Sequence, residues 1–89
     1  MRINGFDWDE QNLEHIARHG VRDYEVEEVM LFGKPIFQRS HNNRYLALGI
    51  TQNGRYLVVV FIVKRQRIIR VVTARDMTDK EKHNYKKRR

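Results

Sequence analysis

The residues best suited to chemistry lie in the segment Arg67-Ile-Ile-Arg-Val-Val-Thr-Ala-Arg75, where arginines interrupt an apolar stretch typical of a β-strand. An arginine inside such a strand is unfavourable unless it is paired or faces a ligand, because burial removes its charge from water. Arg67 lies at the strand end, where its side chain can reach solvent. We interpret Arg70, in the middle of the strand, as functional, since a guanidinium donates paired hydrogen bonds to phosphate oxygens.

Strict alternation along this strand predicts that Arg70 and Arg75 point to opposite faces of the sheet, because successive side chains alternate. Five residues then share the first face, namely Arg67, Ile69, Val71, Thr73 and Arg75. The second face carries the remaining four, namely Ile68, Arg70, Val72 and Ala74.

Arginines in such a setting suit a ribonuclease that needs no metal ion. RNA supplies its own nucleophile, the 2′-hydroxyl, so the protein has only to align it, move protons and stabilise the charged phosphorane. A tyrosine, glutamate or histidine would be the general acid or base, and the candidates are Glu81, Tyr85, His83 and His41. Glu81 and Tyr85 are four residues apart and share one face of a predicted helix, where a plain surface contact is the alternative interpretation.

Positive charge is concentrated in the middle of the chain. Residues 1–28 hold eight acids and three arginines, residues 29–75 hold nine cations and no acid, and residues 76–89 hold three acids and six cations. A basic surface attracts polyanions and releases their counterions. We therefore predict RNA binding through the cations of the middle segment, chiefly Arg55, Lys64, Arg65 and Arg67. A merely solubilising surface is the alternative.

Several other kinds of chemistry have no residues to support them. The chain has no cysteine, which excludes thiolate nucleophiles and cysteine-based zinc sites. Ser40 is the only serine and lies outside any Gly-x-Ser-x-Gly motif, and the five glycines form no phosphate-binding loop. His15 and His19 have the spacing of a metal-ligand pair, but a third ligand is missing, and His19 fits a helix C-terminus better. We expect neither a metal nor a cofactor.

The elements that position these residues follow from turn and capping signals. Asp9 is a suitable N-cap for a first helix, and Thr78-Asp-Lys-Glu81 matches the capping box of a last one. Asn53-Gly54 predicts a two-residue hairpin turn. The predicted strands cover 2–8, 36–40, 44–51, 56–63 and 67–74, and the predicted helices start at residues 9, 23 and 79, the last one ending near residue 86. This β-α-α-β-β-β-β-α order predicts an α+β fold, with helices packed on a mostly antiparallel sheet.

The length and the apolar pattern predict a single domain over residues 1–89. The first ten residues lack the apolar core of a signal peptide. The longest apolar run, Leu57–Val63, is far shorter than the ~20 residues that a membrane-spanning helix needs. We therefore expect a cytoplasmic protein that does not interact with membranes.

Several blocks of the sequence together resemble the BrnT-type toxins of bacterial type II toxin–antitoxin systems. The resemblance covers nearly the whole chain and depends on the order and spacing of the blocks. The blocks are Phe6-Asp-Trp-Asp9 with Asn12, then His15–Val21, Arg44–Gly49, Gly54–Phe61 and Arg70–Arg75, followed by Glu81 with Tyr85. The basic end, Lys86-Lys-Arg-Arg89, departs from the family, whose members commonly carry acids there.

The resemblance implies a RelE-like fold and an endoribonuclease activity that arrests translation. It also implies neutralisation by a BrnA-type antitoxin with a ribbon-helix-helix DNA-binding domain, in a complex of two toxins and two antitoxins that binds operator DNA through the antitoxin. The site residues carried over to this chain are Arg44, Arg70 and Arg75, with Glu81 and Tyr85. A module of the same fold that binds RNA or DNA without cutting it is the alternative function, and a pure protein-interaction domain is a third.

Overall fold

A computed structural model describes residues 1–88 and confirms the predicted order of elements. A short 3₁₀ turn at residues 65–67 separates the last two strands. The strands are β1 (Gly5–Phe6), β2 (Ile36–Arg39), β3 (Tyr45–Ile50), β4 (Tyr56–Val63) and β5 (Ile68–Asp76). The helices are α1 (Glu10–Ala17), α2 (Asp23–Phe32) and α3 (Asp79–Arg88). Within residues 1–88 no helix has the length and apolar character that crossing a membrane requires.

The five strands form one sheet in the order β1-β5-β4-β3-β2. All neighbours are antiparallel except β1, which runs parallel to β5 at the sheet edge. β1 is much shorter than the predicted strand, and after Asp7 a side chain takes over the hydrogen bonding to β5. The amide of Asn12 donates to the backbone oxygens of Val71 (3.2 Å) and Asp7 (2.9 Å), so α1 rather than a strand covers this stretch of the β5 edge.

The helices begin where the capping signals predict. Asp9 accepts a hydrogen bond from the Asn12 backbone N–H (3.1 Å), while the Asn12 side chain accepts from the Asp9 backbone N–H (2.9 Å). These reciprocal bonds satisfy two backbone donors that a helix N-terminus otherwise leaves unpaired. α1 and α2 pack on one face of the sheet, which we call the helix face, and bury the main core there. That core includes Ile16, Val26, Val29, Val59, Phe61, Ile69, Val71 and Ala74.

The opposite face of the sheet is covered only in part. Tyr85 of α3 packs with Leu48, Val58 and Met77 in a second, smaller cluster. The side chains of the same face beyond this cluster are only partly buried, and they include Leu46, Val60, Ile62, Arg70, Thr73 and Arg75. We call this partly covered surface the open face.

A β-bulge in β5 decides which residues reach the open face. Val60 and Phe61 are consecutive in β4, yet they pair with Thr73 and Val71, so Val72 is an extra residue. One extra residue reverses the alternation beyond it. Arg75 therefore lies on the same face as Arg70, and the prediction from strict alternation that they lie on opposite faces is wrong.

The hairpin between β3 and β4 is confirmed, but its turn is longer than predicted. Thr51 and Arg55 close the loop through an N–H···O bond of 2.8 Å, which leaves three residues, 52–54, in the turn. Gly54 adopts a φ of +83°, a left-handed conformation that glycine reaches without strain. The two-residue turn predicted from Asn53-Gly54 is therefore wrong.

Candidate active site

Arg70 lies on the open face and is held by two carboxylates from the start of the chain. Its Nη1 is 3.0 Å from Asp9 Oδ2 and 3.4 Å from Asp7 Oδ2. The pKa of Arg70 is raised, chiefly by the hydrogen bond from its guanidinium to Asp9. The pKa of Asp9 is lowered, first by the Asn12 backbone N–H at the helix start and then by Arg70. The helix cap thus fixes the carboxylate that orients the arginine.

Asp7 connects Arg70 to a second cation. Lys64 Nζ lies 2.7 Å from Asp7 Oδ2, and this contact is the main reason that the pKa of Asp7 is lowered. From the sequence, Asp9 was expected only to cap the first helix, and Asp7 had no expected role. A signal was present, because residues 29–75 contain no acid, so any carboxylate that pairs with one of their cations has to come from elsewhere in the chain.

Arg75 is oriented by a two-point ion pair at the start of α3. Its Nη1 and Nη2 donate to Glu81 Oε1 (2.8 Å) and Oε2 (3.0 Å). Glu81 also accepts a hydrogen bond from the Thr78 backbone N–H (2.9 Å), while its own N–H donates to the Thr78 hydroxyl (3.1 Å). The Thr78–Glu81 capping box predicted from the sequence is confirmed, and it also fixes the plane of the Arg75 guanidinium.

Glu81 is a carboxylate over the whole neutral range. The hydrogen bond from Arg75 is the main cause that lowers the pKa of Glu81 to about 2. A group with this pKa carries no proton to donate near pH 7 and is a weak base. The geometry therefore makes Glu81 the residue that positions Arg75.

The Arg75–Glu81 pair predicts a specific pH dependence of stability. The pKa of Glu81 falls from 4.5 to about 2 on folding. The ion pair therefore contributes fully to the free energy of unfolding above pH 4.5, and this contribution is lost as the pH falls through about 2. The side chains of Arg75 and Glu81 are 41% and 31% exposed, so screening by solvent reduces the stabilisation by this pair to about 1 kcal/mol. Glu81→Gln should lower the free energy of urea unfolding by this amount at pH 7, and the difference from wild type should shrink as the pH falls towards 2 and below. Glu14→Gln, in an exposed pair, is the control, and a difference independent of pH would contradict the assignment.

Tyr85 is buried, although it lies one helical turn from Glu81. Its side chain is 1% exposed, and its hydroxyl donates to the Lys34 backbone oxygen at 2.9 Å, with the Gly33 oxygen at 3.3 Å. The ring packs edge-on against Tyr56, with 6.0 Å between centroids. These contacts anchor α3 to the segment between α2 and β2. Tyr85 therefore holds the helix that carries Glu81.

Arg44 extends the open face at the end where Arg70 lies. The register pairs Tyr45 with Phe61, so the preceding residue, Arg44, falls opposite Ile62, and Ile62 is paired with Arg70. Arg44 and Arg70 thus lie two strands apart, about 10 Å at 4.7–4.9 Å per strand. Arg44 is exposed, and its N–H donates to the backbone oxygen of His41, another exposed residue at this end.

The remaining predicted RNA-binding cations separate into two groups. Arg65 and Arg67 are exposed in the turn between β4 and β5, next to Lys64 and the Arg70 end of the open face. Arg55 lies at the other end of β4, roughly 30 Å from Lys64 at 3.4 Å per residue. Its guanidinium contacts Glu25 (3.1 Å), Asp76 (2.8 Å) and the Gly20 backbone oxygen (2.7 Å). Arg55 therefore links α2 to the end of β5 through its side-chain contacts.

A groove beside Arg70 brings in residues that the sequence analysis did not place there. Its volume is about 280 Å³, and Gln11 and His15 of α1 line it together with Ile62, Arg70 and Val72. His15 is exposed and is therefore accessible to a substrate bound at Arg70. An imidazole can donate or accept a proton near neutral pH. Of the two histidines predicted from the sequence as acid or base, His83 is exposed on α3 and His41 is exposed before β3.

Arg70 and Arg75 mark the two ends of one continuous surface. They pair with Ile62 and Val58, four residues apart on β4, which separates them by about 14 Å along the sheet. Leu46, Val60 and Thr73 lie on the open face between them. Such a strip, apolar in the middle and cationic at both ends, fits a few nucleotides of single-stranded nucleic acid.

Thr73 carries an unsatisfied hydroxyl in the middle of this strip. Its Oγ1 is buried and has no hydrogen-bond partner among residues 1–88. A buried hydroxyl without a partner destabilises the folded state by about 1–3 kcal/mol. Thr73→Val, which keeps the shape, should therefore raise the free energy of unfolding by about 1 kcal/mol.

Thr51→Val is the matched control for that measurement. Thr51 is also buried, but its Oγ1 accepts a hydrogen bond from the Arg55 N–H (3.0 Å). Removing this acceptor should lower the free energy of unfolding by about 1–2 kcal/mol. Equal losses for both variants in urea unfolding would contradict the assignment of an unsatisfied hydroxyl at Thr73.

Comparisons with known proteins agree with the sequence resemblance. Residues 8–81 match the profile of the family described as "Ribonuclease toxin, BrnT, of type II toxin-antitoxin system". A search of curated protein sequences finds no significant match. The fold is similar to the crystal structure of the Brucella abortus ribonuclease toxin BrnT, with a TM-score of 0.69 and 19% identity over 84% of this chain and 97% of that one. Since the matched profile spans most of the sequence, the chain belongs to the BrnT family of ribonuclease toxins of type II toxin–antitoxin systems.

Proposed function

We propose that the open face of this toxin cleaves RNA by attack of the 2′-hydroxyl on the adjacent phosphate, without a metal ion. The observation that carries the proposal is the pair of arginines on this one face, Arg70 and Arg75, each oriented by carboxylates. Preorganised guanidinium groups stabilise the extra negative charge of a phosphorane, because they need no reorganisation as that charge develops. The proposal uses side chains of this face and of the groove beside Arg70.

In this reaction the 2′-oxygen forms a bond to phosphorus and the bond from phosphorus to the 5′-oxygen breaks. A base takes the 2′-proton and an acid protonates the leaving 5′-oxygen, giving a 2′,3′-cyclic phosphate and a 5′-hydroxyl end. We assign the phosphorane contact to Arg70 and a proton transfer to His15, which lines the same groove. Glu81 positions Arg75, and Tyr85 positions α3.

The surrounding cations would hold the RNA backbone. Arg44 lies across the open face from Arg70, and the other cations of this end, Lys64, Arg65 and Arg67, lie beside it. Contacts between cations and phosphates are independent of sequence and weaken as salt is added. Binding by these residues would therefore bring many RNAs to the site.

The test is incubation of the purified protein with RNA in EDTA, followed by analysis of the product ends. We expect cleavage to persist in EDTA and to leave 2′,3′-cyclic phosphate ends. Loss of cleavage in EDTA, or 5′-phosphate products, would contradict the mechanism. Binding without any cleavage would instead favour the alternative function, a non-catalytic RNA- or DNA-binding module of the same fold.

We further propose that this activity arrests translation in the cytoplasm and that a BrnA-type antitoxin neutralises it. The complex would contain two copies of each protein and bind operator DNA through the antitoxin's ribbon-helix-helix domain. Membership of a type II toxin–antitoxin family supports an antitoxin partner. The basic open face, with Arg44 exposed at its edge, is the surface that such an inhibitor would have to cover.

Reversal of a charge at Arg44 should therefore slow antitoxin binding. Opposite charges accelerate the encounter of two proteins, and salt screens this attraction. We expect Arg44→Glu to lower the association rate constant about tenfold at low ionic strength and much less at high salt. Arg18→Glu, an equal change of charge at the C-terminal cap of α1, is the control in stopped-flow measurements. Equal association rates for wild type and Arg44→Glu at low salt would place the antitoxin on another surface.

A further inference from the structure

A second cavity lies between α3 and the β2–β3 edge of the open face. Its volume is about 160 Å³. Three apolar side chains line its sheet side, namely Ile36, Leu46 and Leu48. Polar side chains from a strand and a helix also line it, namely Gln38, Asn84 and Arg88. The mechanism proposed above uses none of these residues.

The size of the cavity matches one small planar group. It corresponds to roughly five water molecules at about 30 Å³ each, and it is well below the roughly 300–1,000 Å³ of sites for drug-sized ligands. A single nucleobase, which has two apolar faces and a polar edge, is a group of this scale. Single-stranded RNA can turn a base out of its stack into such a site.

The polar groups suit the edge of a base. Among residues 1–88, the side-chain amides of half-buried Gln38 and exposed Asn84 make no hydrogen bond to the protein, so both are open to a ligand. An amide offers two donor hydrogens and an acceptor oxygen, so it can match the pattern of donors and acceptors on a base edge. The apolar side chains of Leu46 and Leu48 complement the ring faces.

The position of the cavity connects it to the arginines of the open face. Glu81 lines the cavity and at the same time holds Arg75 through its two short hydrogen bonds. A nucleotide whose base entered the cavity would therefore have its backbone near Arg75. The distance of about 14 Å from Arg75 to Arg70 leaves room for the RNA to continue along the strip to the second arginine.

We propose that this cavity binds one nucleobase of the RNA substrate and determines the base preference of the enzyme. The inference rests on the proposed function, since it assigns a specificity site to the same open face. Phosphate contacts cannot distinguish sequences, because every nucleotide carries the same phosphate. The amides of Gln38 and Asn84 would supply the base-dependent contacts.

The first test maps the cleavage sites of wild type, Gln38→Leu and Asn84→Leu on an RNA that contains all short sequence contexts. Wild type should favour one base, or one class of bases, at a fixed position next to the cut. Since a matched pair of hydrogen bonds to a base contributes about 1–3 kcal/mol of discrimination, the variants should lose about 5- to 150-fold of this preference. Gln52→Leu, at an exposed amide in the β3–β4 turn, is the control and should retain it.

A second measurement separates failure of this inference from failure of the proposed function. Binding of 2′-O-methyl oligonucleotides, which lack the nucleophile, reports base preference without cleavage. If wild type binds one base preferentially and the two leucine variants do not, the result would support a base-binding cavity even if wild type cut no RNA. Equal binding and cutting of all bases by wild type, or unchanged preference in both variants, would overturn the proposal. If the leucine variants changed only the affinity for the antitoxin, the proposal would also be overturned, because the cavity would then belong to the contact with a protein partner.

Discussion

Replacing Arg70 by alanine should lower the rate of RNA cleavage about 100- to 1,000-fold, the range observed when one charge-stabilising donor is removed from an active site. Arg75→Ala should lower the rate less than Arg70→Ala, because Arg75 lies about 14 Å from Arg70 and would contact the RNA backbone away from the phosphorane. The measurement is the initial rate of cleavage of a labelled RNA under single-turnover conditions. In cells, the Arg70→Ala/Arg75→Ala variant should permit growth where induced wild type arrests it.

The controls separate loss of chemistry from loss of charge or of folding. Arg18→Ala removes an exposed arginine at the C-terminal cap of α1, whose guanidinium pairs with Glu14, and should leave the rate unchanged. Arg70→Lys keeps the charge but loses the planar fork, so it should retain part of the activity. Thermal unfolding should show that each variant is folded. Toxicity of the double variant equal to that of wild type would refute the assignment of both arginines.

Arg55→Ala should destabilise the protein by about 2–3 kcal/mol, because it leaves a poorly exposed carboxylate and a backbone oxygen without their partner. The carboxylate is that of Glu25, whose side chain is 14% exposed, and the oxygen belongs to Gly20, which Arg55 contacts at 2.7 Å. The third partner, Asp76, is more exposed and adds less. Urea unfolding at neutral pH measures the change.

The same variant tests whether Arg55 belongs to the RNA-binding surface. We expect Arg55→Ala to cleave RNA at the wild-type rate per folded molecule, because its side chain contacts the connection between α1 and α2, away from the open face. Arg65→Ala removes an exposed arginine of the β4–β5 turn and should change stability by less than about 0.5 kcal/mol. If Arg55→Ala weakened RNA binding and left the stability unchanged, Arg55 would belong to the RNA-binding surface and would have no structural role.

Much of the fold could be predicted because its signals are local in the sequence. The caps at Asp9 and Thr78 depend on hydrogen bonds between residues three positions apart, and the structure contains both. Apolar periodicity located the helices and strands, since each period reflects the geometry of its own element. The absence of acids from residues 29–75 located the basic segment, and motif order identified the family.

The assembly of the site was decided by the tertiary structure. The bulge at Val72 is a property of how β5 pairs with β4, and one extra residue moves Arg75 to the face of Arg70. The ion pair between Asp7 and Arg70 joins residues 63 positions apart, so no local sequence pattern predicts it. The sequence by itself therefore determined the elements, their order and the charge of the surface, because these depend on neighbouring residues. Only the packed sheet decided which charges face each other, because register and face depend on distant ones.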